Sequence, residues 1–450
     1  MLKRMCLHNF KAWQHADIRF GKVTGIFGTN SAGKSSLLQF LLLLKQTKNA
    51  TDRGLVLDFG GFNDLVNLGT FTDVVHQHDN KNLLSWTLEW SLPKILTIDD
   101  PMQGPGQAML KSDTIETTCE IGLRQGQPSP HRLEYRFNEA QFRLVHGARN
   151  HYRLETENTE FQFRRNRGRA WPLPRPIKTH LFPDEVRYFY QNTDFLGNFE
   201  REYEALMDSV FYLGPLREYP RREYHWAGSS PLDVGPRGER TVDAILAATR
   251  DGETRSLGYK MRRRSFGEMI ANWLQKLGLI QDFQLEEIAR GTNLYQVVVK
   301  TTRDSAPTAL TDVGFGVSQV LPALVLLYYV PTGSIVLMEQ PEIHLHPAVQ
   351  AGLADVMLNV ARARELQIVV ESHSEHLLRR LQRRVAEEEA SSDDVRLYFV
   401  STEKGKARAE DLALNQWGEV ENWPQNFFGD ELGEIAAIAD AALRRRMAGS

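Results

Sequence analysis

Two cysteines, Cys6 and Cys119, are all the thiol in these 450 residues, too few for a disulfide framework or a cysteine-built metal cluster. Long apolar runs are missing too. The longest, around Leu37 to Leu44, falls far short of the ~20 residues of a membrane span, and no basic-then-apolar leader is visible. The chain is therefore expected to be cytoplasmic, with no membrane partner. An excess of one charge is also lacking. With 54 Lys and Arg against 57 Asp and Glu, the net charge is -3, which argues against a uniformly basic surface made for nucleic acid. Arginines do cluster at Arg164, Arg165, Arg167 and Arg169, at Arg262 to Arg264, and at Arg379, Arg380, Arg383 and Arg384. Such clusters are more often solvated faces or helix ends than DNA sites. The 13 histidines are scattered except for His344 and His346, which lack a third ligand and make a weak metal pair. No internal repeat or long heptad run is present.

What the chain does have is GTNSAGKSS, residues 28 to 36, placed directly after the apolar run Val23 to Phe27 and directly before the one from Leu37 to Leu44. A chance match to Gly-x(4)-Gly-Lys-Ser/Thr in a chain of this length is roughly 0.02. The pattern predicts strand, phosphate loop, helix. Gly28 and Gly33 let backbone amides close round a polyphosphate, with Asn30, Ser31 and Ala32 completing the loop. Lys34 neutralises β- and γ-phosphates, and the Ser35 hydroxyl, followed by Ser36, can ligate Mg²⁺ at the positive end of a helix. ATP and Mg²⁺ are the expected cofactors.

A phosphate loop needs a distant carboxylate at the end of a buried strand to hold the metal. SIVLMEQ, residues 334 to 340, supplies one: four apolar residues run into Glu339, followed by Gln340, Pro341 and Glu342. Further on, Gln367 to Val370 forms another apolar strand, ending in Glu371, Ser372 and His373. An imidazole at that edge can contact a γ-phosphate or position water. Between loop and carboxylate lies DVGFGVSQV, Asp312 to Val320, where Gly314 and Gly316 open a helix. A helix N-terminus not needed by the chain's own phosphate loop can serve a second molecule's nucleotide.

The organisation predicts an α/β fold in which a parallel sheet flanked by helices is built from both ends of the chain. Residues 1–80 form the N-terminal part of the ATPase head and 291–403 its C-terminal part, including the strand LYQVVVKT. Residues 81–290 are an inserted lobe: short alternating strands to about 170, the connector with Pro172, Pro174 and Pro176, then helical spacing over Asp184 to Val210 and Lys260 to Leu277. Residues 404–450 remain as a small C-terminal domain.

The succession of phosphate loop, GFGVSQ, VLMEQPEIHLHP and VVESHSEHLL resembles the ABC-type ATPases of the overcoming-lysogenization-defect and RecF/SMC group, over about residues 1–75 and 290–400. This resemblance implies two heads that face each other, with each ATP held between one head's phosphate loop and the other's signature helix. It implies that Gly33, Lys34, Ser35 and Ser36 hold phosphate and Mg²⁺, that Glu339 is the Mg²⁺ carboxylate, and that Gly316, Ser318 and Gln319 start the signature-like helix. His373 is then the switch histidine, and Gln39 or Gln77 the metal-sensing glutamine. FYLGPLREYPRREY, Phe211 to Tyr224, and GEVENWPQNFF, Gly418 to Phe428, are similar to a subset with a small uncharacterised C-terminal domain, many of whose members serve bacterial anti-phage defence.

Two departures shape the expectation. The family's catalytic base usually follows the Mg²⁺ carboxylate directly, and here Gln340 stands there, a neutral amide that cannot hold a proton. Turnover is therefore expected to be slow, with Glu342 the substitute base to consider first, unless it binds across the dimer or caps the next helix. Only about fifty residues follow VRLYFV, too few for the nuclease domain that DNA-cleaving relatives carry. The expected function is an ATPase that self-associates on ATP as sensor or scaffold for an effector protein, a nuclease or toxin. The alternative is a RecF-type repair clamp binding double-stranded DNA.

Overall fold

Alternating apolar and polar residues fold Leu2–Phe10 (β1) and Trp13–Arg19 (β2) into an antiparallel hairpin. Its tight turn is carried by Lys11, whose φ is 49°. Val23–Gly28 (β3) leads into α1 (Lys34–Asn49) and the short α2 (Phe71–Val74). There follow β4 (Leu84–Asp99), β5 (Ala108–Arg124), β6 (Gln127–Phe137), β7 (Ala140–His146) and β8 (Tyr152–Glu157). These strands extend the first hairpin into one antiparallel sheet, ordered β2-β1-β4-β5-β6-β7-β8. The strand-rich segment thus continues a sheet that the N-terminus begins.

The chain goes on through α3 (Glu185–Phe189), α4 (Leu196–Asp208), β9 (Val210–Leu213), β10 (Tyr224–His225), α5 (Thr241–Arg250), β11 (Thr254–Ser256), β12 (Arg263–Ser265) and α6 (Phe266–Lys276). After β13 (Asp282–Glu287), β14 (Leu294–Lys300) and β15 (Thr308–Ala309) come α7 (Phe315–Tyr329), β16 (Ile335–Glu339), α8 (Pro347–Arg364), β17 (Gln367–Glu371), α9 (Glu375–Ala386), β18 (Val395–Glu403) and β19 (Lys406–Asp411). The computed structural model describes residues 1–99, 101, 106–147, 151–168, 171–256, 262–424, 437–438, 441–442 and 445. Arg169, Lys260, residues 425–428 of the GEVENWPQNFF stretch and most of the expected C-terminal domain lie outside them.

The expected parallel sheet is present, ordered β19-β18-β3-β17-β16-β9, with only β19 antiparallel. β16 and β17 are buried along their whole length, which is why both read as uninterrupted apolar runs. Its edge strand β9 comes from the segment between the two parts of the head. One expectation is corrected: β14, the LYQVVVKT strand, is not in this sheet. It pairs antiparallel with β13, β10 and β15, because the turn between β13 and β14 is too short for the crossover that a parallel neighbour requires.

Alternate side chains of the sheet enter two different cores. Ile26, Leu337 and Val369 face one that includes α1 and the antiparallel sheet, whereas Phe27, Val336, Met338 and Val370 face one built from α5 to α9. Covered from both sides, α1 is apolar nearly all round: Leu37, Leu38, Phe40 and Leu41 to Leu44 are all buried. Each such side chain contributes roughly 1.5–3 kcal/mol of burial free energy, so the helix that starts at the phosphate loop is anchored along its length. No helix among the described residues is long and apolar enough to cross a membrane.

Candidate nucleotide-binding site

The buried strand β3 delivers Gly28 to the carboxyl edge of the sheet, the edge at which open α/β sheets bind ligands. Gly28 has φ of 139°, and a Cβ there would meet the Val400 carbonyl oxygen at 1.9 Å, so only glycine fits. The loop turns through Ser31 (φ 61°) and Gly33 (φ 100°), the N-cap of α1. Asn30 and Ser31 are exposed and Ala32 is buried. The Trp13 indole N–H donates to the Gly33 carbonyl at 3.0 Å and to Ser36 Oγ at 3.1 Å, and the Ser36 hydroxyl donates to the same carbonyl at 2.5 Å. Lys34 is buried, its Nζ donating to the carbonyls of Gly28 (3.2 Å) and Thr29 (2.8 Å) across the loop. Burial lowers its pKa, opposed by the charges of Glu371 and Glu342. α1 has no acidic residue in its first turn and no side-chain cap, leaving its N-terminal amides and dipole to an anion.

Three carboxyl groups gather at the same edge. Glu339 ends β16 and Glu371 ends β17, directly paired in the ladder, and Glu371 in turn pairs with Ile26 of β3. The Tyr212 hydroxyl donates to Glu339 Oε1 at 2.8 Å. Burial, then the charge of Glu371, pushes the Glu339 carboxyl up to about 7. Glu371 is raised by burial as well, against the Ser35 hydroxyl that hydrogen-bonds it and the Lys34 charge. Glu342 is buried, and its Oε1 accepts from the Ser372 hydroxyl and the His373 backbone N–H, both at 2.7 Å. Burial raises its pKa. The second carboxylate oxygens of Glu342 and Glu371 are buried with no hydrogen-bond partner among the described residues.

The remaining sequence candidates fall around this edge. Gln340 has φ of 44°, and its backbone N–H donates to the Glu371 carbonyl at 2.8 Å, so the turn after Glu339 is tied to the neighbouring strand. His373 is exposed, and partial desolvation and then the Lys34 charge lower its pKa. Gly314 is the N-cap of α7, which starts at Phe315; Gly316 and Gln319 are partly exposed, and the buried Ser318 hydroxyl donates to the Phe315 carbonyl at 2.9 Å. That helix start packs beside the segment following Glu342, with the Phe315 and His344 rings 6.4 Å apart. Among the described residues no hydrogen bond or ion pair brings it onto the phosphate loop. Gln39 accepts from Lys11 Nζ at 2.7 Å, and Gln77 lies at φ 57° in a turn by α2. His346 caps α8 through Nδ1, and among the described residues no three His, Cys, Asp or Glu side chains come close enough together to hold one metal ion by themselves.

The donor set suits Mg²⁺ rather than a softer ion. The Ser35 hydroxyl and the Glu339 and Glu371 carboxyl groups offer hard oxygens, one carboxylate oxygen of them orphaned. So few protein ligands match a cation that takes one or two side chains plus phosphate and water. Glu371 was not singled out from the sequence, although it ends its apolar strand as Glu339 does; that parallel was the available signal. Tyr212 and Arg217 lie in the noticed FYLGPLRE stretch, but nothing local marked them as facing Glu339.

Two family models agree at the level of the ATPase domain. Residues 1–117 match a profile described as "AAA ATPase domain", and residues 391–438 match a family of unknown function. Comparison with curated proteins gives no match. Among solved structures the chain is similar to the SMC head domain from Thermotoga maritima, at 12% identity over 91% of this chain and 98% of that one, TM-score 0.41. It is similar also to an Smc head domain bound to the C-terminal domain of ScpA from Pyrococcus furiosus, at 10% identity over 92% and 96%, TM-score 0.41. Residues 108–379, more than half of the 450, match the family described as "AAA domain, putative AbiEii toxin, Type IV TA system", and with its phosphate loop and facing carboxylates the chain belongs to that family of AAA-type ATPases.

Proposed function

We propose that this ATPase is a slow, ATP-gated switch: it binds ATP with Mg²⁺, self-associates in that state, and holds or releases an effector protein in bacterial anti-phage defence. The observation that carries the reading is Gln340, an amide beside Glu339 where a carboxylate base is wanted. General-base assistance contributes roughly 10²–10⁴ in rate, so a head lacking it dwells in its ATP state, which fits a timer or scaffold better than a motor.

Within this reading the loop from Gly28 to Ser36 cradles the phosphates, and Lys34 leaves the carbonyls of Gly28 and Thr29 for the β- and γ-oxygens. Ser35 and Glu339 would hold Mg²⁺, which when bound neutralises the charge developing on the transferred phosphoryl group. Glu342, with one oxygen held by the switch loop and one unpaired, is the group able to take a proton from water. His373 reads the γ-phosphate from the switch loop, and Gly316, Ser318 and Gln319 meet the nucleotide of a second copy. The head comprises residues 1–80 and 291–403 with β9 as its edge strand, and the rest of the segment 81–290 offers the partner surface.

The arginines of α9 are neutralised within the chain, Arg380 and Arg384 by Asp355, Arg379 by Glu375 and Arg383 by Glu387, so the DNA-clamp alternative rests on the arginines of the strand-rich segment. The test is mass spectrometry of what co-purifies with the tagged chain from its native cell, with Lys34→Ala as control. A stoichiometric effector lost in the variant supports the switch; repair proteins with bound DNA would transfer the reading to the clamp.

A further inference from the structure

Arg217 is a buried cation with most of its hydrogen-bonding capacity unmet. Its side chain is 9% exposed, Nη2 lies 3.5 Å from the Glu339 carbonyl, and Nε and Nη1 are buried with no partner among the described residues. A buried, unsatisfied guanidinium is costly, and native structures rarely keep one without a use. Two carboxyl groups, those of Glu339 and Glu342, act on its charge, and Glu342 has an unpaired buried oxygen of its own. The loop is held firmly in place. β9 pairs with β16 up to Leu213 opposite Met338, and beyond it Gly214 N–H donates to Pro236 and Glu218 N–H to Arg237, both at 2.8 Å. Arg217 sits between these two ties, and Tyr212, on the strand before them, reaches Glu339 Oε1.

We propose that Tyr212 and Arg217 are positioning residues for the ATPase reaction: Tyr212 fixes the Glu339 carboxyl group for the metal, and Arg217 supplies the positive charge that steadies the turn from Glu339 to Glu342. Neither touches the reacting phosphate. β9 reaches the sheet from the segment between the two parts of the head, so this segment governs the geometry of the carboxylate edge. The inference rests on the nucleotide site proposed above.

The test uses the full chain and the fluorescent analogue N-methylanthraniloyl-ATP, titrated in EDTA and in Mg²⁺, with kcat and KM for ATP alongside. In Tyr212→Phe the affinity in EDTA should stay within about two-fold of wild type, while the Mg²⁺-dependent gain and kcat each fall roughly ten-fold, as for loss of one hydrogen bond to a charged group. Arg217→Gln should move the same two quantities, and Arg217→Lys should restore part of them by keeping the charge. An unchanged Mg²⁺-dependent gain in Tyr212→Phe and both Arg217 variants overturns the proposal, as does an equal loss of affinity in EDTA and Mg²⁺, the mark of a merely structural role. Should Arg217→Gln fail to fold, Tyr212→Phe and Arg217→Lys decide the matter. Wild-type protein that fails to bind the analogue at all removes the nucleotide site itself, an outcome distinct from either.

Discussion

Glu339 and Glu371 end neighbouring parallel strands at the same step of the ladder, and the charge on Glu371 raises the proton affinity of Glu339. Adjacent strands lie only about 4.8 Å apart, so two ionised carboxylates side by side at a buried edge repel one another. A raised proton affinity at Glu339 lessens this repulsion at the ligand-free edge.

Stability should therefore depend on pH with a definite sign. The folded-state pKa of Glu339, about 7, lies above its ordinary value of 4.5, so between those values the unfolded chain holds fewer protons and stability falls as pH rises. The contribution is on the order of 3 kcal/mol, and burial gives Glu342 and Glu371 the same sign. Urea denaturation of the ligand-free protein across this window should show the decline, and Glu339→Gln should make it shallower while stabilising the fold above pH 7. A wild-type stability that is level or rises with pH contradicts the assignment.

Lys34→Ala should weaken ATP binding roughly 10²-fold, the loss of charge-assisted contacts to phosphate. Calorimetry on the purified variant measures this directly. Wild-type affinity would remove the phosphate-loop assignment, because Lys34 is the ammonium lying across the loop.

Replacing Gln340 by glutamate leaves the backbone demand unchanged, since φ of 44° is equally strained for either residue. Gln340→Glu should raise the rate of phosphate release by about 10² if only a base is missing. Glu342→Gln is the companion variant: its amide oxygen can still accept from Ser372 and the His373 backbone, whereas alanine would orphan both. No gain with Gln340→Glu, together with an inactive Glu342→Gln, identifies Glu342 as the base.

Gly28→Ala tests the close approach of β3 and β18. A methyl group 1.9 Å from the Val400 carbonyl oxygen meets backbone that cannot swing aside, so the loss should exceed about 3 kcal/mol. Thermal unfolding reads it, and a variant as stable as wild type would mean that the strands are spaced differently.

Much of the ATP edge was legible because its chemistry is local. A glycine-lysine loop between apolar runs and a carboxylate ending a buried strand are each written in a few consecutive residues, from Gly28 to Ser36 and from Ile335 to Glu339. The position of Glu371 beside Glu339 was hidden although its strand has the same form, since that pairing exists only in the sheet. Tyr212 and Arg217 were hidden for a stronger reason: they meet Glu339 across more than a hundred residues of sequence, through an edge strand of four residues too short to announce itself. The strand Leu294–Lys300 was visible, but not its partners, because apolar alternation fixes a strand's faces and not its sheet.

The placement of β3 between β17 and β18 has a consequence for how the protein is made. Val23 is in register with Val395, its neighbour Ile368 N–H bonds to Lys22, and the Leu2 backbone is held by the Gln367 side chain, 365 residues away. At about 5–20 residues per second of synthesis, the nascent phosphate-loop strand waits roughly 20–70 seconds before either flanking strand has been translated. Until then both hydrogen-bonding edges of β3 lack their strand partners, so the nucleotide site is among the last parts of the molecule to form.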